Sequence, residues 1–207
     1  MADDWRRQSG LVALNIAARV GEGAPESGVR LCERPFRGQV ALRGESDDAA
    51  FLTAFRDGMG FDLPLTPNTT ASHGEVRALW LGPSEWLIVT PGDGPGMASA
   101  LRQSLSNSHH AVTNVSESRA VIGLGGRHAR DVLAKGCSLD LHASVFTPGQ
   151  CAQSNLARTH MLLHALADNS ETGPAYDIYV HRSFAEYAWR WLEDASLEYG
   201  VAVVADV

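Results

Sequence analysis

Apolar positions in this chain gather into short runs, and the runs follow the same order twice. Gly38 to Gly44 (GQVALRG) has the apolar density of a strand and ends in glycine; a Ser/Asp-started helix and then Gly60-Phe61-Asp62-Leu63-Pro64 come next. Arg119 to Gly125 (RAVIGLG) opens the same succession, with a helix from about Arg127 and then Cys137-Ser138-Leu139-Asp140-Leu141. Each half next gives a strand (Trp86 to Val89; Tyr176 to Val180), an amphipathic helix (from Met97; from Phe184) and a closing strand (Ala111 to Val115; Val201 to Val204). Matched elements stand roughly 80 to 90 residues apart, a drift that small differences in loop length explain. The pattern predicts an α+β fold of duplicated units, antiparallel strands with helices packed on the sheets. Leu81-Gly82-Pro83-Ser84-Glu85-Trp86 joins two strand-like runs by a turn, where a doubly wound parallel sheet needs a crossover helix. The expected division is an N-terminal arm over 1–28, a first unit over 29–117 and a second over 118–207, both packed as one domain.

Within this plan, Ser46 or Asp47 starts a helix whose Phe51, Leu52, Phe55 and Met59 share one stripe, and Gly58 and Gly60 end it. Leu63 to Gly74 and Asp168 to Pro174, rich in small polar residues and proline, are expected to be loops. The arm ends in Gly/Pro/Glu-rich chain after an apolar stretch, Leu11 to Val20, that can wrap a neighbour. At 100° per residue the last helix buries Phe184, Tyr187, Ala188, Trp191, Leu192 and Ala195, leaving Trp189 on the polar side beside Glu186 and Glu193. Trp189, Leu11, Val12, Leu14 and Ile16 are therefore the candidate contacts to another protein, since a large exposed aromatic is the usual anchor of an interface.

Composition removes several classes of function. The chain has 207 residues and a net charge of −7. Its 17 basic side chains, only Lys135 being a lysine, are scattered, so neither nucleic acid nor anionic lipid is an expected partner. No apolar run approaches the ~18 residues of a membrane span, and the acidic start Met1-Ala2-Asp3-Asp4 does not resemble a secretory signal. Cys32, Cys137 and Cys151 form no CxxC and suit a reducing compartment; a cytoplasmic location is expected.

No motif assembles a catalytic, cofactor-binding or metal-binding set. Gly123-Leu124-Gly125-Gly126-Arg127-His128 lies where a dinucleotide fingerprint belongs, but His128 occupies the position of its last glycine. Gly82-Pro83-Ser84-Glu85-Trp86 is a hairpin turn rather than a nucleophile elbow. His160 and His164 lie on a strand, ~13 Å apart, too far to share a metal ion. His109-His110 suits a solvated loop, and the adjacent carboxylates Asp47-Asp48 and Glu193-Asp194 suit caps and solvated faces.

Several runs taken together carry a resemblance. Leu81 to Ile88 (LGPSEWLI), Arg119 to Ala134 (RAVIGLGGRHARDVLA), Lys135 to Leu141 (KGCSLDL), Phe146 to Gln153 (FTPGQCAQ) and Tyr176 to Leu192 (YDIYVHRSFAEYAWRWL) resemble the gamma subunit of heterotetrameric sarcosine oxidase, over roughly Val29 to Val204. The resemblance implies a fold like the folate-binding domain of aminomethyltransferases, in a non-catalytic structural subunit. It implies that FAD, FMN, NAD, tetrahydrofolate and zinc belong to other subunits, with alpha as the main contact and beta and delta in the same assembly. Lys135-Gly136-Cys137 is also similar to the KGC motif of folate-binding iron–sulfur assembly proteins, but Ser138, Leu139, Asp140 and Leu141 depart from the residues that continue that motif. A stand-alone folate-binding aminomethyltransferase-like enzyme is the alternative.

Overall fold

The structure, a computed structural model, describes residues 7–168 and 170–205. The acidic start Met1 to Asp4, Asn169 of the second loop and the last two residues lie outside the described residues. The strands are β1 (Val29–Glu33), β2 (Gly38–Gly44), β3 (Thr70–His73), β4 (Val76–Gly82), β5 (Glu85–Thr90), β6 (His110–Asn114), β7 (Arg119–Gly125), β8 (Cys151–Leu156), β9 (Thr159–Ala165), β10 (Ala175–His181) and β11 (Val201–Val203). The helices are α1 (Ile16–Arg19), α2 (Ala49–Met59), α3 (Gly94–Ser104), α4 (Ala129–Ala134) and α5 (Ala185–Ser196).

One sheet has the order β3-β4-β5-β2-β6, the other β8-β9-β10-β7-β1-β11. Taken strand for strand, the second repeats the first, with β1 inserted between the counterparts of β2 and β6. The inserted strand runs antiparallel to β7 and parallel to β11. Val29 to Glu33, expected in the first unit, thus pairs within the second sheet, because β7 and β11 offer it an open slot between them.

Strand alternation sorts side chains into layers. In β5, Trp86 and Ile88 join Phe51 and Phe55 of α2 and Ala98 and Leu101 of α3, while Leu87 and Val89 meet Val121, Leu162 and Tyr179 of the other sheet. A larger cluster lies under α4 and α5, with Ile122, Leu163, Ile178, Trp189 and Leu192 in it. The architecture is therefore helices, sheet, sheet, helices. Each fully buried Phe or Leu here contributes about 1.5–3 kcal/mol. The sheets also meet edge to edge, where Thr70 N–H donates to Gly149 O and Cys151 N–H to Asn68 O, both at 2.9 Å.

Local chemistry sets the element ends. The Asp48 carboxylate caps α2 through Ala50 N–H at 2.8 Å, and Gly60, at φ 81°, closes it with its N–H on Arg56 O. Helix α3 starts at Gly94, earlier than Met97, because Asp93 accepts from Gly96 N–H at 2.9 Å and Pro95 suits the first turn. Within the expected Leu63 to Gly74 loop, Thr70–His73 forms β3, a short edge strand paired to β4. Its face is too exposed to carry an apolar alternation.

The expected face of α5 needs correction. Ala185, Ala188, Trp189, Leu192 and Ser196 are buried, whereas Phe184 is 45% and Tyr187 37% exposed. The helix is rotated by roughly a quarter turn from the expected stripe. Ala185 and Ala188 let it approach the sheet, and the indole of Trp189 fills the space beside them. The arm is likewise docked. Leu11 is 0% and Ile16 3% exposed, both within the α5-side core, and Arg19 forms an ion pair with Glu193.

Candidate functional site

The register places one row of residues across five strands, on the face turned toward the other sheet. Cys32 of β1 stands opposite Gly123 of β7, Gly123 opposite Asp177 of β10, Asp177 opposite His164 of β9, and His164 opposite Cys151 of β8. Gly123 matters because of what lies over it: a Cβ there would collide with Cys32 Sγ and crowd the Arg34 guanidinium. The missing side chain leaves the lane through which Arg34 reaches Asp177, its Nε 2.6 Å from Oδ1.

Asp177 and His164 of this row line a cleft of 610 Å³ between the sheets. Arg34, Arg37 and Arg77 bring positive charge to it, and Val89 and Val121 supply apolar wall. Thr70, Ser72 and Glu75 stand at the mouth beside Pro148 and Gly149. Burial pushes the Asp177 carboxyl above its ordinary range, with Arg34, Arg77 and Arg37 pulling the other way. His164 is pushed down to about 4, by burial first and then by Arg77 and Arg34, so its imidazole is neutral at pH 7. Its Nδ1 is buried and has no hydrogen-bond partner. Burial also raises Tyr179.

The remaining polar candidates serve the fold. Gly123 is mid-strand, so the run to His128 does not form the loop that cradles a dinucleotide. Ser84 lies in the β4–β5 hairpin turn. His160 is exposed on β9 while His164 is buried. The three cysteines are buried and in no disulfide; Cys32 and Cys151 stand four strands apart, roughly 19 Å, and burial pushes Cys151 up to about 12, which makes it a poor nucleophile. Among the described residues no three of His, Cys, Asp and Glu converge as a metal site, and no helix is long and apolar enough to cross a membrane.

Of the expected partner contacts, Trp189, Leu11 and Ile16 are buried within the chain, which removes the exposure they were chosen for. Leu14 is half-buried against the core, and Val12 keeps 54% of its surface. Sequence reasoning missed the cleft. Its signal was a polar residue inside a strand buried on both faces, His164 in Met161-Leu162-Leu163-His164 and Asp177 in Tyr176-Asp177-Ile178.

Paired sheets of duplicated units, sheathed by helices, define a fold shared with a known aminomethyltransferase. The glycine cleavage system aminomethyltransferase T of Bartonella henselae superposes with a TM-score of 0.64 at 13% identity, over 86% of this chain and 48% of that one, a likeness of fold. Two further matches run end to end. The chain is 31% identical over 194 residues to the sarcosine oxidase subunit gamma of Corynebacterium sp. (strain P-1), covering 93% of this chain and 92% of the relative. It superposes with a TM-score of 0.79 and 30% identity on a chain of heterotetrameric sarcosine oxidase from Corynebacterium sp. U-96, solved in complex with pyrrole 2-carboxylate, covering 93% and 96%. The sarcosine oxidase, gamma subunit family model matches residues 43–198, and the chain belongs to that family.

Proposed function

We propose that the chain is the gamma subunit of a heterotetrameric sarcosine oxidase, a structural subunit that assembles with alpha, beta and delta subunits and has no reaction centre of its own. The observation that carries this reading is the end-to-end match in sequence and fold to one subunit of such an enzyme. The assembly takes sarcosine, oxygen and water to glycine, hydrogen peroxide and formaldehyde, or with tetrahydrofolate in place of water gives 5,10-methylenetetrahydrofolate. FAD, FMN, NAD, tetrahydrofolate and zinc are assigned to the other subunits, and the alpha subunit is the main contact. Three features support the non-catalytic role: the Asp177 carboxylate is held by Arg34, the His164 imidazole is neutral, and the Cys151 thiol opposite it is pushed up to about 12 by burial. Three buried cysteines in no disulfide support a cytoplasmic setting.

Co-purification with the tagged chain, followed by an absorption spectrum for flavin, tests the proposal. Recovery of flavin-bearing subunits with sarcosine-dependent oxygen uptake is the expected result; a tagged chain that stays alone when the other subunits are co-expressed overturns it. The fold shared with aminomethyltransferase T favours a second reading, a stand-alone folate-binding aminomethyltransferase-like enzyme. Saturable tetrahydrofolate binding with turnover of an aminomethyl donor by the purified chain would establish that instead.

A further inference from the structure

Two polar groups in the inter-sheet cleft are left unanswered by the fold. Arg77 lies half-buried on β4, and among the described residues no hydrogen bond or ion pair holds its guanidinium. Across the cleft His164, 3% exposed, presents an Nδ1 that has no partner. Asp177 is committed to Arg34, and Glu75 is exposed at the mouth. Arg77 feels Asp177 only through the field, since that carboxylate is bonded to Arg34; half-burying a cation without a directly bonded counter-charge costs free energy, and so does burying an imidazole nitrogen without a hydrogen bond. One occupant relieves both costs if it carries a negative group and a second polar atom.

We propose that this cleft binds a small organic anion, a carboxylate or a phosphate, whose charged group pairs with Arg77 and whose second polar atom meets His164 Nδ1. The volume, 610 Å³, falls in the usual range for small-molecule sites, about 300–1,000 Å³. Val89 and Val121 line the cleft, and Arg37 adds positive field. Because burial and the neighbouring arginines hold the imidazole neutral, His164 contributes a hydrogen bond and Arg77 the charge recognition. The site is independent of the oxidase reading, since it is built within this chain alone.

The test is a titration of the full chain with succinate and, separately, inorganic phosphate, at ionic strength fixed by chloride, followed by calorimetry and by the NMR signals of the His164 ring. Saturable binding of at least one probe is expected, and which of the two binds identifies the anion. Arg77→Gln weakens binding about tenfold or more, and Arg77→Lys, which keeps charge but loses the planar fork, weakens it about threefold. Arg43→Gln, on an exposed pair with Glu85 away from the cleft, leaves binding unchanged. Thermal unfolding of each variant confirms that it is folded. Absence of saturation with both probes, or equal affinity in Arg77→Gln, overturns the proposal. So does loss of binding in the co-purified complex, which would show that a partner's surface fills the cleft.

Discussion

His164 sits in an environment far from water. Its pKa in the fold is about 4, against 6.5 for the free side chain, so the unfolded chain takes up a proton that the folded chain refuses. The resulting stability is fully present above pH 6.5 and is lost as pH falls toward 4, about 3 kcal/mol in all. Arg34, Arg37 and Arg77 face it as cations, and Asp177 and Glu75 as acids; the raised Asp177 pKa works in the opposite direction, favouring the fold as pH falls. Urea midpoints across this pH range in wild type and His164→Gln isolate the histidine, the variant showing the shallower decline. At Gly123 the expectation is steric. Gly123→Ala sets a methyl group against Cys32 Sγ and the Arg34 guanidinium, and a loss of about 1–3 kcal/mol is expected by urea unfolding.

Among the elements, α5 decides how an apolar stripe should be read. Trp189→Ala removes a fully buried indole and is expected to cost about 3–5 kcal/mol of stability by chemical denaturation. Trp189→Phe costs much less, because the buried indole N–H has no acceptor and its removal forfeits no hydrogen bond. The strands β2 and β7 were legible to their end residues, since apolar runs bounded by glycine leave little choice. Helix α2 was legible from its Phe51/Phe55 stripe and its closing Gly60, while its start, expected at Ser46 or Asp47, falls at Asp48, whose carboxylate reaches Ala50 N–H. On α5 two stripes that share Ala188 and Leu192 compete: aromatics at 184, 187 and 191 outweigh the lone aromatic among Ala185, Trp189 and Ser196, yet Ala185 and Ala188 face the sheet because small residues permit close approach. Strand β3 stayed hidden because it is paired but hardly buried. The cleft stayed hidden because its row forms only when five strands are in register, and a row that joins Cys32 to Asp177 and Cys151 is not a local property of the chain.

Across the whole molecule, duplication accounts for the sheet orders, and the arm accounts for how the ends are held. Val12, 54% exposed, is the one expected apolar contact that stays exposed, and it lines a shallow hollow with Phe184, expected in the core but 45% exposed. Val12→Asp with Phe184→Asp is expected to reduce recovery of partner subunits about tenfold, equivalent to about 1.4 kcal/mol, while leaving thermal unfolding of the free chain nearly unchanged. Recovery equal to wild type would place the interface elsewhere. The inserted strand β1 has a consequence for how the chain is made. Its neighbours in the sheet are β7 and β11, which follow it in the chain by roughly 90 and 170 residues. The first sheet can close as soon as β6 exists; β1 finds one neighbour only when β7 has been made and the other only when β11 has. A stalled chain ending before β11 would therefore carry a finished first sheet and a second one whose β1, with Val29 and Leu31, is an open edge.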